Sequence, residues 1–247
     1  MQVTLMTYNI HKGIGGVDRL YRPERIVETI ARYSPDLLLL QEVDDGVPRS
    51  RGDRQIDFLG DKLGFVHRFY QPNVRLRRGV YGNGILSRLP LQETHDVELT
   101  MRPKKRRRAQ IVKLRIMHDG SSHHGDSRSR TIVVANVHLG LAAFERRIQL
   151  RKLLQHETLS QAQVNTPVII AGDFNDVWQN LGAGLLQKNQ FVSALHNVRT
   201  FPAAFPLRCL DGIYYRGTLG PVRGFAGRTA LAHQASDHLP LIGQFDI

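Results

Sequence analysis

Apolar positions along the chain fall into short continuous runs that alternate with a few longer segments of helical period. The runs Val3 to Tyr8 and Leu37-Leu38-Leu39-Leu40, with residues 65–70, 80–87, 109–117, 131–137, 167–171, 212–215 and 240–245, are rich in β-branched, aromatic and aliphatic side chains and predict strands. Pro23 suits a first helical turn, and Ile26, Val27, Ile30 and Tyr33 then share one face until Ser34-Pro35 ends the helix. A second helix is predicted over Ile56, Leu59 and Leu63, stopped by Gly64. Residues Ala142 to Gln161 lack Gly and Pro and predict a third. The polar stretch His118 to Arg130 reads as a loose loop between two strands. The alternation supports an α+β or α/β sandwich with two core sheets. At 247 residues and 41% hydrophobic content, residues 1–247 are expected to form a single domain without a linker.

Composition narrows the chemistry. Cys209 is the lone cysteine, which excludes an intramolecular disulfide and the Cys-rich metal sites. No apolar run approaches the ~20 residues of a transmembrane segment. A net charge of +12 and a pI near 10.3 point to polyanionic partners. Arg102-Pro103-Lys104-Lys105-Arg106-Arg107-Arg108 concentrates six of the cations immediately before a predicted strand.

The ends of the strand-like runs carry the informative polar residues. The first run ends in Asn9, the second in Gln41-Glu42, a third in His138 and a fourth in Asp173-Phe174-Asn175. Asp211 and Ser236-Asp237-His238 stand just before the last two runs. An Asp or Asn beside a strand is ordinarily a turn former, and a single His is ordinarily a packing residue. Six such junctions in one chain are harder to assign to turns. Together they supply oxygen ligands suited to a hard cation and two imidazoles suited to proton transfer or phosphate contact.

These segments resemble the endonuclease/exonuclease/phosphatase superfamily, the deoxyribonuclease I-like enzymes. The resemblance rests on Thr7-Tyr8-Asn9-Ile10, Leu40-Gln41-Glu42-Val43, Tyr81-Gly82-Asn83-Gly84, Asn136-Val137-His138-Leu139, Gly172-Asp173-Phe174-Asn175, Leu210-Asp211-Gly212-Ile213 and Ser236-Asp237-His238. Small bacterial members are most alike, sharing His-Lys-Gly after the first motif and Thr-Phe-Pro ahead of the Leu-Asp motif. The resemblance implies a four-layer αββα sandwich with two central mixed β-sheets. It implies Glu42 as the principal ligand of Mg²⁺ or Mn²⁺, with Asn9 and Asp237 completing or orienting the oxygen shell. It implies Asp173 as the base that activates water, and Asn175 as a hold on the phosphate or on that aspartate. His238 would stabilise phosphoryl oxygens, oriented by Asp211, and His138 would contact phosphate or protonate the leaving group. Tyr81, Asn83, Arg107 and Arg108 are the implied substrate contacts. Asn83 replaces a carboxylate found in deoxyribonuclease I, and Gly212 stands where relatives carry a bulkier residue, a change expected to widen the site.

Three further features have bland readings. His118, His123, His124 and Asp126 sit among Gly and Ser and read as a solvated loop rather than a zinc site. Gly13-Ile14-Gly15-Gly16 lacks the Lys-Ser/Thr of a phosphate-binding loop and reads as a flexible turn beside Asn9. Trp178, Phe201 and Phe205 are expected to pack in the core. The expectation is therefore a metal-dependent phosphodiesterase or phosphatase, monomeric and cytoplasmic, with nucleic acid the favoured substrate on charge grounds. A phospholipid or inositol-phosphate hydrolase with peripheral contact to anionic membrane is the alternative, and a catalytically silent nucleic-acid-binding module the third reading. Against the lipid reading, the only apolar hairpin the sequence offers is a short one over Phe201 to Pro206.

Overall fold

The computed structural model describes residues 1–117, 129–178, 181–220 and 222–247. In chain order the elements are β1 (Gln2–Asn9), α1 (Pro23–Ala31), β2 (Leu37–Asp45), α2 (Gln55–Leu63), β3 (His67–Arg75), β4 (Val80–Ser87), β5 (Leu91–Glu98), β6 (Arg108–Met117), β7 (Ser129–His138), α3 (Ala143–Leu154), α4 (Glu157–Ser160), β8 (Val168–Asp173), β9 (Val192–Ser193), β10 (Asp211–Arg216), β11 (Val222–Ala226), α5 (Ala232–Ala235) and β12 (Leu241–Asp246). The strands form two six-stranded sheets, ordered β11-β12-β1-β2-β4-β3 and β5-β6-β7-β8-β10-β9. Each is mixed: β1 runs parallel to β2 and β7 parallel to β8, while the other pairs are antiparallel.

Strand periodicity explains the layering. In β2, Leu37 and Leu39 face the second sheet, with Val3 and Leu5 beside them and Val112, Val134 and Ile169 opposite. Leu38 and Leu40 point the other way, onto Ile26 and Ile30 of α1 and Ile56 and Leu59 of α2. A strand buried on both faces must be apolar at every position, hence the run of four leucines. The second sheet repeats the arrangement, with Val133, Ala135 and Ile170 turned toward Leu150 and Leu153 of α3. The product is the four-layer αββα sandwich.

Several elements depart from expectation. The predicted third helix breaks at His156, whose backbone is extended (φ −60°, ψ 135°) and whose Nδ1 accepts the Thr158 N–H at 3.4 Å, so α4 starts anew. β5, β9 and β11 are not among the predicted strands. All three are outer strands, and β5 (Leu-Gln-Glu-Thr-His-Asp-Val-Glu) is mostly exposed, so its sequence carries little hydrophobic alternation. Of the predicted loop His118 to Arg130, residues 118–128 with the histidine cluster lie outside the described residues, and Ser129 and Arg130 belong to β7.

Candidate active site

Residues at or near the ends of seven strands meet at one end of the sandwich. In the second sheet, β7 and β10 flank β8, and their registers pair His138 with Asp173 and Asp173 with Asp211. Three functional side chains thus form one row across neighbouring strands. The first sheet brings Asn9 from the end of β1, Glu42 from β2, Tyr81 and Asn83 from β4, and Asp237 and His238 from the segment before β12. Glu42 sits in a register break between Leu40 and Val43 with φ +58°, a left-handed conformation unusual for a β-strand carboxylate. Asn175 is likewise left-handed at φ +51°.

Buried amides clamp the sheets together beneath this row. Gln41 Nε2 donates to Thr7 Oγ1 at 3.0 Å and to Asn136 Oδ1 at 2.7 Å. Asn136 Nδ2 reaches the carbonyls of Leu40 and Gly84 and Gln110 Oε1, at 3.0, 3.2 and 2.9 Å. Such a network holds facing strands in one register, because a slipped register would leave these groups unpaired.

Asp173 lies at the centre. Its Oδ2 accepts Asn9 Nδ2 at 3.0 Å and lies 3.6 Å from His138 Nε2 and 3.9 Å from His238 Nε2. Its Oδ1 accepts the backbone N–H of Asn175 at 2.9 Å. The Asn175 side chain is turned away, donating to the Leu139 carbonyl at 3.0 Å. Burial pushes the Asp173 carboxyl up to about 7, although the His238 charge pulls the other way. Burial alone would lower His238, but the Asp211 charge and hydrogen bond, with Asp173 and Asp237, raise it to about 10. Asp211 Oδ2 stands 2.8 Å from His238 Nδ1 and also accepts Thr200 Oγ1 at 2.5 Å. The Phe201 ring packs 5.0 Å from the His238 ring. His138 is pushed well below its usual range by burial and by Arg107.

Around Glu42 the environment is cationic. Lys12 Nζ pairs with Oε2, and Tyr81 stands beside the carboxylate. Burial opposes the Glu42 charge, but His138, Lys12 and Tyr81 outweigh it and hold the carboxyl well below its usual range. Lys12, Arg49 and Lys105 lie 5.6, 5.5 and 5.1 Å from the Tyr81 ring centre. Asp237 Oδ2 is 3.7 Å from His11 Nε2, and Ser236 Oγ donates to the Asn9 carbonyl at 2.7 Å.

The donors present suit a hard cation: Glu42, Asp237 and Asn9 offer oxygens, and the ionised Glu42 already faces a positive charge. Asn9 Oδ1 accepts the His11 N–H at 3.1 Å while its amide donates to Asp173, which favours its orienting role. A second group, Asp173, Asp211 and His238, brings ligand atoms within 4.8 Å of one another, with Asp211 and His238 hydrogen-bonded.

Several expectations are corrected by these positions. Arg108 turns to Asp96 at 3.0 Å and Glu98 at 3.9 Å, whereas Arg107 is buried and its charge bears on His138 and Tyr81. Asn83 is buried and donates to Gln71 Oε1 at 3.4 Å and to the Arg108 carbonyl at 3.2 Å. Gly212 does not widen the site, because a Cβ there would lie 2.7 Å from Tyr214 and 3.3 Å from Phe174, which fill the space. The glycine run after Asn9 is packed rather than loose: a Cβ on Gly16 would stand 2.8 Å from Asp237 Cα. Trp178 and Phe205 are exposed, not core. Lys12, Thr200 and the amide clamp had no role assigned from sequence, yet Lys12 lies in the His-Lys-Gly segment and Thr200 in Thr-Phe-Pro. Those segments were the available signal.

The sequence profile described as Endonuclease/Exonuclease/phosphatase family matches residues 6–238. The uncharacterized protein YbhP of Escherichia coli strain K12 is 27% identical over 258 residues, covering 98% of this chain and 96% of that protein. The crystal structure of an endonuclease/exonuclease/phosphatase from Beutenbergia cavernae is similar with a TM-score of 0.79 at 22% identity, over all of this chain and 72% of that one. D. rerio TDP2 complexed with single strand DNA product is similar at 0.69 and 18% identity, over all of this chain and 99% of that one. These structural likenesses concern the fold.

Proposed function

The chain belongs to the endonuclease/exonuclease/phosphatase family, whose members hydrolyse phosphoester bonds, and on that premise we propose that residues 1–247 form one catalytic unit that hydrolyses a phosphodiester with the help of Mg²⁺ or Mn²⁺. The observation that carries this reading is the buried row His138, Asp173 and Asp211, closed from the facing sheet by His238.

A phosphodiester resists attack because its anionic oxygens repel the nucleophile. Glu42, with Asp237 and Asn9, would hold the metal, which when bound neutralises phosphate charge and polarises the ester. Asp173 accepts the proton of the attacking water; a carboxyl raised to about 7 is better matched to that task near neutrality than an ordinary one. Asn9 and the Asn175 N–H fix its two oxygens. His238 carries a proton on each ring nitrogen. Asp211 takes the one on Nδ1, which leaves Nε2–H to meet charge developing on a phosphoryl oxygen. His138 contacts phosphate or the leaving oxygen, while Arg107 and Lys105 add positive charge.

Charge points to a polyanionic substrate, and the single strand DNA product held by D. rerio TDP2 supports a nucleic-acid strand as the first reading on this fold. A phosphate ester at a bilayer surface is the second reading, favoured by the exposed apolar side chains beside the site. The test is metal-dependent turnover of a small aryl phosphodiester, then of DNA, RNA and phospholipids. Undiminished turnover after chelation, with no metal by elemental analysis, would falsify the assignment of Glu42.

A further inference from the structure

Among the described residues, only three aromatic side chains are exposed: Phe144 at 57%, Trp178 at 79% and Phe205 at 71%. All three lie in segments adjoining site strands at the catalytic end. Phe144 follows His138, Trp178 follows Asp173, and Phe205 precedes Asp211. Leu141, Val177 and Leu207 are exposed alongside them, at 76%, 37% and 55%.

These segments are anchored to the site and to each other. Arg146 donates to the Leu141 carbonyl and stands 3.6 Å from Asp176, which ties the segments after β7 and β8 together. The Phe205 segment folds back as a short hairpin, with Leu207 N–H donating to the Phe201 carbonyl at 2.9 Å and Ala203 N–H to the Asp237 carbonyl at 2.7 Å. The apolar tips are therefore held out on supported backbone.

The same end carries the charge. Residues 10–22, 46–54, 76–79, 99–107, 139–142, 174–181, 199–210 and 227–240, which flank the site strands, contain sixteen Lys and Arg against four Asp and no Glu. The basic loop meets the apolar rim directly, since Lys104 Nζ lies 6.0 Å from the Phe144 ring centre.

We propose that this end of the molecule is a docking face for an anionic phospholipid bilayer, with Phe144, Trp178 and Phe205 entering the headgroup boundary and the surrounding cations meeting lipid phosphates. The proposal rests on the phosphodiester reading of the site and selects the bilayer among its substrates. Cations alone would suit nucleic acid equally well, and aromatic rings can stack on bases. Leu141, Val177 and Leu207 decide between the two. Aliphatic side chains offer a base no stacking surface, but they lose unfavourable hydration on entering the boundary of a bilayer. Basic residues within a Debye length then add attraction to anionic lipid.

Trp178 is the only tryptophan in the chain and reports on this face without labelling. Vesicles of phosphatidylcholine containing phosphatidylglycerol should shift its emission to the blue, and lipids brominated on their acyl chains should quench it. Vesicles of phosphatidylcholine alone should have a much weaker effect. The double variant Phe144→Ser, Phe205→Ser should weaken partitioning by about tenfold or more. Binding without a Trp178 shift would overturn the proposal, as would preference for a single-stranded oligonucleotide with no vesicle binding. Turnover of an aryl phosphodiester by the unaltered protein without vesicles reads the active-site assignment separately, so the two can fail independently.

Discussion

Asp36 and Asp173 stand at opposite ends of the sandwich and use the same carboxylate differently. Asp36, at the end away from the site, accepts the Thr4 N–H at 2.8 Å and thereby joins two strand starts. Asp173 accepts one N–H and one amide, and the remainder of its surroundings are imidazoles. The arginines divide in the same way. Arg88 donates to the carbonyls of Pro35, Gly64 and Leu63 and covers Phe65 at 4.8 Å. Arg107 is buried beside the site and forms no ion pair with a carboxylate among the described residues. Asp36 and Arg88 satisfy backbone, whereas Asp173, the imidazoles and Arg107 face one another, an arrangement that stabilises little until an anionic ligand arrives. The left-handed backbone of Glu42 and Asn175 belongs to the second end too. The proposed chemistry thus belongs to one end of the sandwich.

The sharpest break between the two ends should come from Asp173→Asn and His238→Ala. Each is expected to reduce turnover by about 10²–10⁴, with the melting temperature much less affected. Near-normal turnover in both would end the proposed roles. Leu39→Ala, in the central layer, should do the converse, costing about 2–5 kcal/mol in denaturant melts while the folded fraction retains its turnover. Arg88→Gln should cost about 1–3 kcal/mol because it removes charge-assisted bonds to three carbonyls, again without changing kcat. Thr200→Val removes the hydroxyl on Asp211 and should reduce kcat by about tenfold or less, leaving metal affinity, measured by calorimetry, unchanged.

A further effect is in the pH dependence of stability. With His238 raised to about 10, the native state holds its proton more tightly than the unfolded chain, whose imidazole titrates near ~6.5. This contribution is complete below the unfolded value and disappears as pH rises through the folded one. Between neutrality and about pH 10 the unaltered protein should therefore lose stability more steeply than His238→Gln, as read by denaturant melts across that range. Equal slopes would remove the Asp211–His238 pair from the account.

Much of the site could be read from the chain because its side chains belong to strand ends. Asn9, Glu42, His138, Asp173 and Asp211 each follow or begin an apolar run, and a run fixes where its sheet stops. Lys12 and Thr200 were harder to see, because each lies in a loop whose path depends on neighbours. Lys12 reaches Glu42 only through a turn with left-handed backbone at His11 and Lys12. Arg107 and Arg108 are adjacent cations with no local feature to separate them; the strand pairing that puts Arg108 opposite Glu98 decides which one turns to the site.

The sequence alone determined the two-sheet sandwich and pointed to the polar motifs at its strand ends, because both follow from local period and from residue type. The tertiary structure decided the rest: the row His138–Asp173–Asp211, the closure by His238, the cation set on Glu42, and the exposed rim of Phe144, Trp178 and Phe205. Register and sheet order set these, and both are cooperative properties of strands far apart in the chain. A single aromatic residue carries no mark of whether its loop will point into a core or out to a surface.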